Sequence, residues 1–247
     1  LGQSHGFNSV HGRMPSVSTG ANAANRGLKY IGVSGDGDSL SIGMGQLVHA
    51  IRRNLNIVYV LENNGVYGLT KGQFSAAADF GSKSKQGVAN PMSAIDPVTM
   101  ALSVGATFVA RSFSGDKNQL VPIIKAALSH EGFALVDVIS PCVTFNNHKG
   151  STKSYPHTRE NYLNVADADF IGDNEEITTD YEAGSSKQVK MHDGSTVTFS
   201  KIADDYDPTD RGVASAYLNK CRERGEIATG LLYVEEGCKD IELIHRL

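Results

Sequence analysis

Three short apolar runs separated by helix-length segments constrain this chain more than any other feature. They are Lys29–Ser34 (K-Y-I-G-V-S), Asn56–Leu61 (N-I-V-Y-V-L) and Ala134–Ile139 (A-L-V-D-V-I). From Ser39 to about Arg53 the apolar residues Ile42, Leu47, Val48 and Ile51 recur at helical spacing, which predicts a helix with one inward face. Pro97–Val104 and Leu120–Ser129 read as further helices, and Phe108–Arg111 as a strand. Strands alternating with helices build βαβ units, so the expected fold is α/β, a parallel sheet with helices on both faces.

Past Pro141 the character changes. Residues 146–187 are polar and weakly periodic, Gln188–Ile202 alternates around His192-Asp193-Gly194-Ser195 as a hairpin would, and Asp207-Pro208-Thr209-Asp210 opens a helix running to about Arg224. That helix is expected to carry its proline at the first helical position. Ile227–Val234 reads as a last strand. The division implied is a ligand-binding domain over residues 1–145 and an irregular C-terminal extension over 146–247, containing a β-hairpin and a helix, that packs on the first part or on a partner subunit.

Composition narrows the function classes. The 247 residues hold 23 basic and 27 acidic side chains with no basic block, which lacks the footprint of a nucleic-acid binder. No stretch approaches the ~18–20 apolar residues of a membrane span, and no signal-peptide pattern opens the chain. A soluble, cytoplasmic protein with no nucleic-acid or membrane partner is expected. The chain starts at Leu1 without methionine and reads as part of a longer subunit. None of its three cysteines, Cys142, Cys221 and Cys238, forms a C-x-x-C pair, which argues against a disulfide framework or a self-contained metal knuckle. Cys221, on a helix beside Tyr217 and Leu218, reads as core, and Cys238 carries no signal. His49 reads as structural, and His148, His157, His192 and His245 lack metal-ligand spacing.

The chemistry concentrates in Gly35-Asp36-Gly37-Asp38 and, one helix and one strand later, Asn63-Asn64-Gly65-Val66-Tyr67-Gly68. Asp36 follows the carboxyl end of one strand and Asn64 that of the next, and in an open parallel sheet those ends face one crevice. Both supply hard oxygen donors of the kind magnesium takes alongside phosphates and water. Gly35 and Gly37 let the backbone approach a diphosphate, the following helix aims its amides there, and the carbonyl of Val66 is placed to complete the metal shell. Asp38 reads as a helix cap next to this cofactor-binding turn. Leu40 stands where a dinucleotide fingerprint needs glycine, and no P-loop is present.

These two motifs match the thiamine-diphosphate motif. The longer strings G-D-G-D-S-L-S-I-G-M-G-Q-L-V-H-A-I-R-R-N and N-N-G-V-Y-G-L-T-K-G-Q, with S-P-C-V-T-F-N (Ser140–Asn146) and H-G-R (His11–Arg13), resemble the β subunits of 2-oxoacid:ferredoxin oxidoreductases over residues 4 to 165. The tail, with M-H-D-G-S and D-Y-D-P-T-D-R, more loosely resembles the 2-oxoglutarate members.

The resemblance implies a thiamine-diphosphate enzyme that oxidatively decarboxylates 2-oxoglutarate to succinyl-CoA and passes electrons to ferredoxin, or runs the reverse. Asp36, Asn64 and the Val66 carbonyl would hold Mg2+ on the diphosphate, with Tyr67, Gly68 and Leu69 along the cofactor. Lys71 would meet the substrate carboxylate near Leu69, and His11 and Arg13 are assigned to cofactor or substrate contact. Cys142 would be one of four thiolates on a [4Fe–4S] cluster, the other three lying upstream of Leu1. An α or fused α/γ subunit would complete the active site, including the glutamate that activates the cofactor, in a dimer of heterodimers that takes coenzyme A. Pyruvate or another 2-oxoacid as substrate, a non-redox thiamine enzyme, and a non-catalytic binding or assembly subunit are the alternatives.

Overall fold

The computed structural model describes residues 4–84, 86–166, 182, 185–190, 196–200 and 206–238. In chain order the elements are α1 (Met14–Ala24), β1 (Ile31–Gly35), a π-helical turn (Gly37–Ile42), α2 (Met44–Arg52), β2 (Ile57–Asn63), β3 (Val66–Tyr67), β4 (Gln73–Phe74), α3 (Pro97–Ser103), β5 (Phe108–Phe113), α4 (Lys117–Ser129), β6 (Phe133–Ile139), α5 (Tyr155–Glu160), β7 (Tyr162–Ala166), β8 (Ser186–Lys190), β9 (Thr196–Ser200), α6 (Arg211–Arg224) and β10 (Ile227–Val234). Six strands make one sheet in the order β1-β2-β6-β5-β10-β7, while β3-β4 and β8-β9 are two-stranded.

The expected parallel pairing holds for β1, β2, β6 and β5. The sheet is nonetheless mixed, because β10 runs antiparallel to β5 and parallel to β7. Both β7 and β10 come from beyond residue 146, so the later segment supplies two strands of the same sheet. The polar stretch read as irregular contains β7 and also α5, whose Ser154 cap accepts the His157 N–H. Periodicity is a poor guide there because each element is only five or six residues long.

Helices cover the two faces unequally. Leu47 and Ile51 of α2, Val98 and Leu102 of α3, and Ala214 and Leu218 of α6 pack with Tyr59, Leu61, Leu135 and Leu232 on one face. The other face has α4, whose Ile123 and Ala127 meet Val58, Ala110 and Val136. Strands β5 and β6, covered on both sides, are buried at every position. β1, though its sequence is as apolar, is not buried on both sides: Ile31 and Val33 are about half exposed, since they sit at the sheet edge where α4 does not reach.

Local signals set the helix ends. Asp96 accepts the Val98 and Thr99 N–H groups at the start of α3, and Asp210 accepts those of Gly212 and Val213 at the start of α6. α6 therefore begins at Arg211, and Pro208 lies in the preceding turn rather than at the first helical position. Gly225, with φ +70°, ends it in the left-handed conformation. The hairpin over 188–202 is present as antiparallel β8-β9, while its expected turn, His192-Asp193-Gly194-Ser195, lies outside the described residues. Among the described residues no helix is long and apolar enough to cross a membrane.

Candidate active site

The G-D-G turn and the N-N loop meet at the carboxyl ends of β1 and β2, as the topology requires. β1 and β2 pair in parallel with Gly35 opposite Glu62, so the residues following each strand emerge side by side. Asp36 is completely buried. Its Oδ2 accepts the Gly65 N–H at 2.9 Å and the hydroxyl of Ser75, and its Oδ1 accepts a long bond from the Asn64 N–H at 3.4 Å. All these direct donors are uncharged. Burial raises the Asp36 carboxyl above its ordinary range, and the lowering by Ser75, the two backbone amides and the more distant charge of Lys153 does not offset it.

Gly37 is required by packing: a Cβ there would sit 2.6 Å from the Tyr67 ring, whose hydroxyl donates to the Gly37 carbonyl at 2.9 Å. The chain then enters the π-helical turn with Asp36 at its N-cap position, and the Asp36 side chain caps none of the first-turn amides. Asn64 closes its own turn, with Oδ1 accepting the Val66 N–H at 3.0 Å. The Gly65 and Tyr67 carbonyls accept from the Ser75 and Gly72 N–H groups. By strand alternation the Val66 carbonyl between them faces the opposite way, away from β4.

Asp38 departs from the expected role. It caps no helix: Oδ1 accepts the Gly12 N–H at 2.6 Å and Oδ2 accepts the Ser34 hydroxyl. This anchors the H-G-R segment to the G-D-G-D turn, and Gly12, with φ +74°, fits against Ile42 and Gly43 with no room for a side chain. His11 and Arg13 on either side are exposed. Leu69 is 90% exposed, and Lys71 is exposed and strained, with φ +81° followed by Gly72 at +90°.

The S-P-C-V-T-F-N segment folds back over this loop. The Cys142 sulfur would lie 3.8 Å from a Cβ placed on Gly68, and the Phe145 ring fills the space over Gly72. Asn146, 4% exposed, donates its Nδ2–H to the Asn64 carbonyl at 2.8 Å, and Ser140 N–H donates to the Asn63 carbonyl at 2.9 Å. Ser75 and Asn146 were not singled out from sequence. Asn146 ends a motif that was recognised for its cysteine, whereas nothing local marks Ser75. Asn63 also has a partner far along the chain, donating to Asp137, which is paired with Arg111.

The buried Asp36 carboxylate has no directly bonded cationic partner, and together with the Asn64 side-chain oxygen and the Val66 carbonyl of the loop it holds, it makes a donor set of the hard-oxygen type a divalent cation takes. A four-thiolate cluster does not fit this chain alone. Cys221 is buried in the core, Cys238 accepts from Asn54 at 2.9 Å, and among the described residues no group of three His, Cys, Asp or Glu is placed to hold a metal.

The family model for the C-terminal thiamine pyrophosphate-binding domain of thiamine pyrophosphate enzymes matches residues 2–138. The chain belongs to this family. Within it, the chain is 44% identical over 149 residues to 2-oxoglutarate oxidoreductase subunit KorB of Mycobacterium tuberculosis, covering 59% of this chain and 39% of that protein. It is 43% identical over 158 residues to the 2-oxoacid:ferredoxin oxidoreductase subunit beta of Saccharolobus solfataricus, covering 64% of this chain and 49% of that protein. It spans about half the length or less of these two relatives. A solved 2-oxoglutarate:ferredoxin oxidoreductase from Magnetococcus marinus, with 2-oxoglutarate, coenzyme A and succinyl-CoA bound, superposes with a TM-score of 0.73 at 29% identity, covering 96% of this chain and 67% of that one. The resemblance thus extends from short motifs to alignments over 59% and 64% of the chain.

Proposed function

We propose that this chain is the diphosphate-binding part of a thiamine-diphosphate-dependent 2-oxoacid:ferredoxin oxidoreductase, acting on 2-oxoglutarate and coenzyme A to give succinyl-CoA, or in reverse. The observation that carries the reading is the buried Asp36 carboxylate held against the Asn64-Gly65-Val66 loop by Gly65 N–H and Ser75, in a member of the thiamine pyrophosphate-binding family. Asp36, Asn64 Oδ1 and the Val66 carbonyl would hold Mg2+, and the amides after Gly37, which the Asp36 side chain does not cap, would face the diphosphate. When bound, thiamine diphosphate supplies the carbanion and electron sink that decarboxylation of a 2-oxoacid needs.

The chain's own residues bind and orient. Lys71, projecting from a strained turn next to Leu69, is suited to pair with the substrate carboxylate as a point charge. His11 and Arg13, tied to the site through Gly12 and Asp38, form a second polar edge for cofactor or substrate. Cys142, lying against Gly68, supplies one thiolate for a [4Fe–4S] cluster whose remaining ligands come from elsewhere. A partner α or fused α/γ subunit, ferredoxin as acceptor, a dimer of heterodimers and a cytoplasmic location belong to the same reading. The names of the M. tuberculosis and M. marinus relatives favour 2-oxoglutarate over other 2-oxoacids.

The test is viologen reduction by the assembled enzyme with coenzyme A across a panel of 2-oxoacids. The expected result is thiamine-dependent reduction strongest with 2-oxoglutarate. Reduction strongest with pyruvate would reassign the substrate, and decarboxylation without viologen reduction would place the chain among non-redox thiamine enzymes.

A further inference from the structure

The Asn64 loop is held from two sides, and only one of them belongs to the G-D-G and N-N motifs. From the sheet side, Asp36 takes the Asn64 and Gly65 N–H groups. From the opposite side come residues of the segment after β6. Ser140 N–H binds the Asn63 carbonyl, and the Asn146 carboxamide binds the Asn64 carbonyl at 2.8 Å. Asn146 is itself fixed, because its N–H returns to the Cys142 carbonyl at 2.9 Å and its side chain is buried. A Cβ on Gly65, a residue at φ +76°, would lie 2.7 Å from its Nδ2, so the carboxamide occupies the space that any side chain at position 65 would need.

We infer that Asn146 is a positioning residue for the metal: its carboxamide fixes the Asn64 carbonyl and thereby sets where the Asn64 side chain and the Val66 carbonyl present their oxygens. The inference rests on the reading of Asp36, Asn64 and Val66 as Mg2+ ligands. Its physical content lies in the difference between two ions. Mg2+ demands near-octahedral geometry at about 2.0–2.1 Å, whereas Ca2+ accepts six to eight oxygens at about 2.3–2.6 Å with loose angles. A loop released by loss of the Asn146 donor keeps its oxygens but loses their fixed spacing. Mg2+ therefore suffers from the loss, and Ca2+ suffers much less.

The experiment measures thiamine diphosphate binding by titration calorimetry on the whole assembled enzyme, with Mg2+ or Ca2+ as the only divalent ion. Wild type is compared with Asn146→Ala and the isosteric Asn146→Asp, whose carboxylate cannot donate. In Mg2+ the dissociation constant should rise about tenfold for Asn146→Ala, equivalent to about 1.4 kcal/mol, and at least as much for Asn146→Asp. In Ca2+ the rise should stay within about twofold for Asn146→Ala. Equal losses with both ions, or no loss with Mg2+, would overturn the inference. If Asn146→Ala does not assemble, Asn146→Asp carries the Mg2+ comparison, and an unchanged affinity there is equally decisive against it. Absence of divalent-dependent binding in wild type would instead overturn the metal–diphosphate reading itself.

Discussion

Asp137 accepts the Nε–H of Arg111 at 2.6 Å, with the carboxylate fully buried and the arginine side chain 9% exposed. The same guanidinium reaches both oxygens of Asp96 at 2.9 Å, and Asp137 receives Asn63 Nδ2 at 3.1 Å. One cation thus serves two carboxylates and, through Asp137, reaches Asn63, the residue preceding the proposed metal ligand Asn64. Arg111→Met keeps the volume but leaves the buried Asp137 and the partly exposed Asp96 without their counter-charge. Removing one partner of a buried ion pair costs about 3–5 kcal/mol, so urea unfolding at neutral pH should show a loss of that order. Burial already raises the Asp137 carboxyl with Arg111 in place, and without that charge it favours its neutral form further, so the gap to wild type should narrow as the pH is lowered through its raised range. A pH-independent loss would mean that packing, not charge, is what Arg111 contributes.

Lys71 separates charge from backbone strain. At φ +81° a lysine costs about 1–2 kcal/mol relative to glycine, so Lys71→Gly should raise the melting temperature slightly while removing the ammonium. A hydrogen bond to a charged group contributes about 1.5–3 kcal/mol, and both Lys71→Gly and Lys71→Ala should therefore lower kcat/KM for the 2-oxoacid by roughly 10- to 100-fold. Steady-state kinetics that leave kcat/KM unchanged would remove Lys71 from substrate binding.

Asp36→Ala should abolish retention of thiamine diphosphate. Loss of partners that merely orient metal ligands costs roughly 10–100-fold in affinity, and loss of a ligand itself should exceed that. Thiamine content of the purified variant is the measurement, and a normal content would sink the clamp. The raised carboxyl adds a sign. The folded, metal-free chain holds the Asp36 proton more tightly than the unfolded chain, so this group's contribution to metal-free stability is present at low pH and lost as pH rises through its folded value. Mg2+ needs the ionised form, so its affinity should fall on acidification through that same range.

The sequence made the first half of this site legible because both signals were local. G-D-G and N-N each sit in a short turn after an apolar run, and one βαβ crossover is enough to place Asp36 beside Asn64. What was not legible depends on distance along the chain. Ser75 reaches Asp36 across 39 residues, and Asn146 reaches Asn64 across 82. Neither has a composition or a period that marks it. Asp38 shows the same limit: adjacent to a predicted helix it reads as a cap, yet its carboxylate serves Gly12, 26 residues earlier. In the fold, β10 could be read as a strand, but its antiparallel direction follows from where α6 delivers the chain, which no window of sequence encodes.

Cys142→Ser tests the cluster assignment independently of the metal. Iron–sulfur clusters are held by thiolates, so the assembled enzyme should lose iron and visible absorbance while Asp36 and Asn64 still retain thiamine diphosphate. Iron analysis and the visible spectrum decide this, and an unchanged spectrum would return Cys142 to the status of a half-buried thiol packed on Gly68.

The segment that runs on from Asn146 is tied down at Asp79. Thr152 donates through both its N–H and its hydroxyl to Asp79, at 2.8 and 2.6 Å, and Lys153 pairs with the same carboxylate at 3.2 Å. Burial pulls the Asp79 carboxyl upward, but Lys153 and the Thr152 donors outweigh it and hold the carboxyl below the ordinary value. The group therefore contributes stability that is present above the unfolded-state value, near 3.8, and is lost as pH falls through its lower folded value. Asp79→Asn removes that contribution, leaving Lys153, whose side chain is 13% exposed, without its carboxylate. The loss should be about 1–3 kcal/mol at pH 7. Chemical denaturation from pH 7 down to pH 3 should show the wild-type advantage constant at first and then shrinking below about pH 4. An advantage that persists undiminished at the acid end would show that shape, not the ionised carboxylate, ties residues 152 and 153 to the loop that follows Ser75.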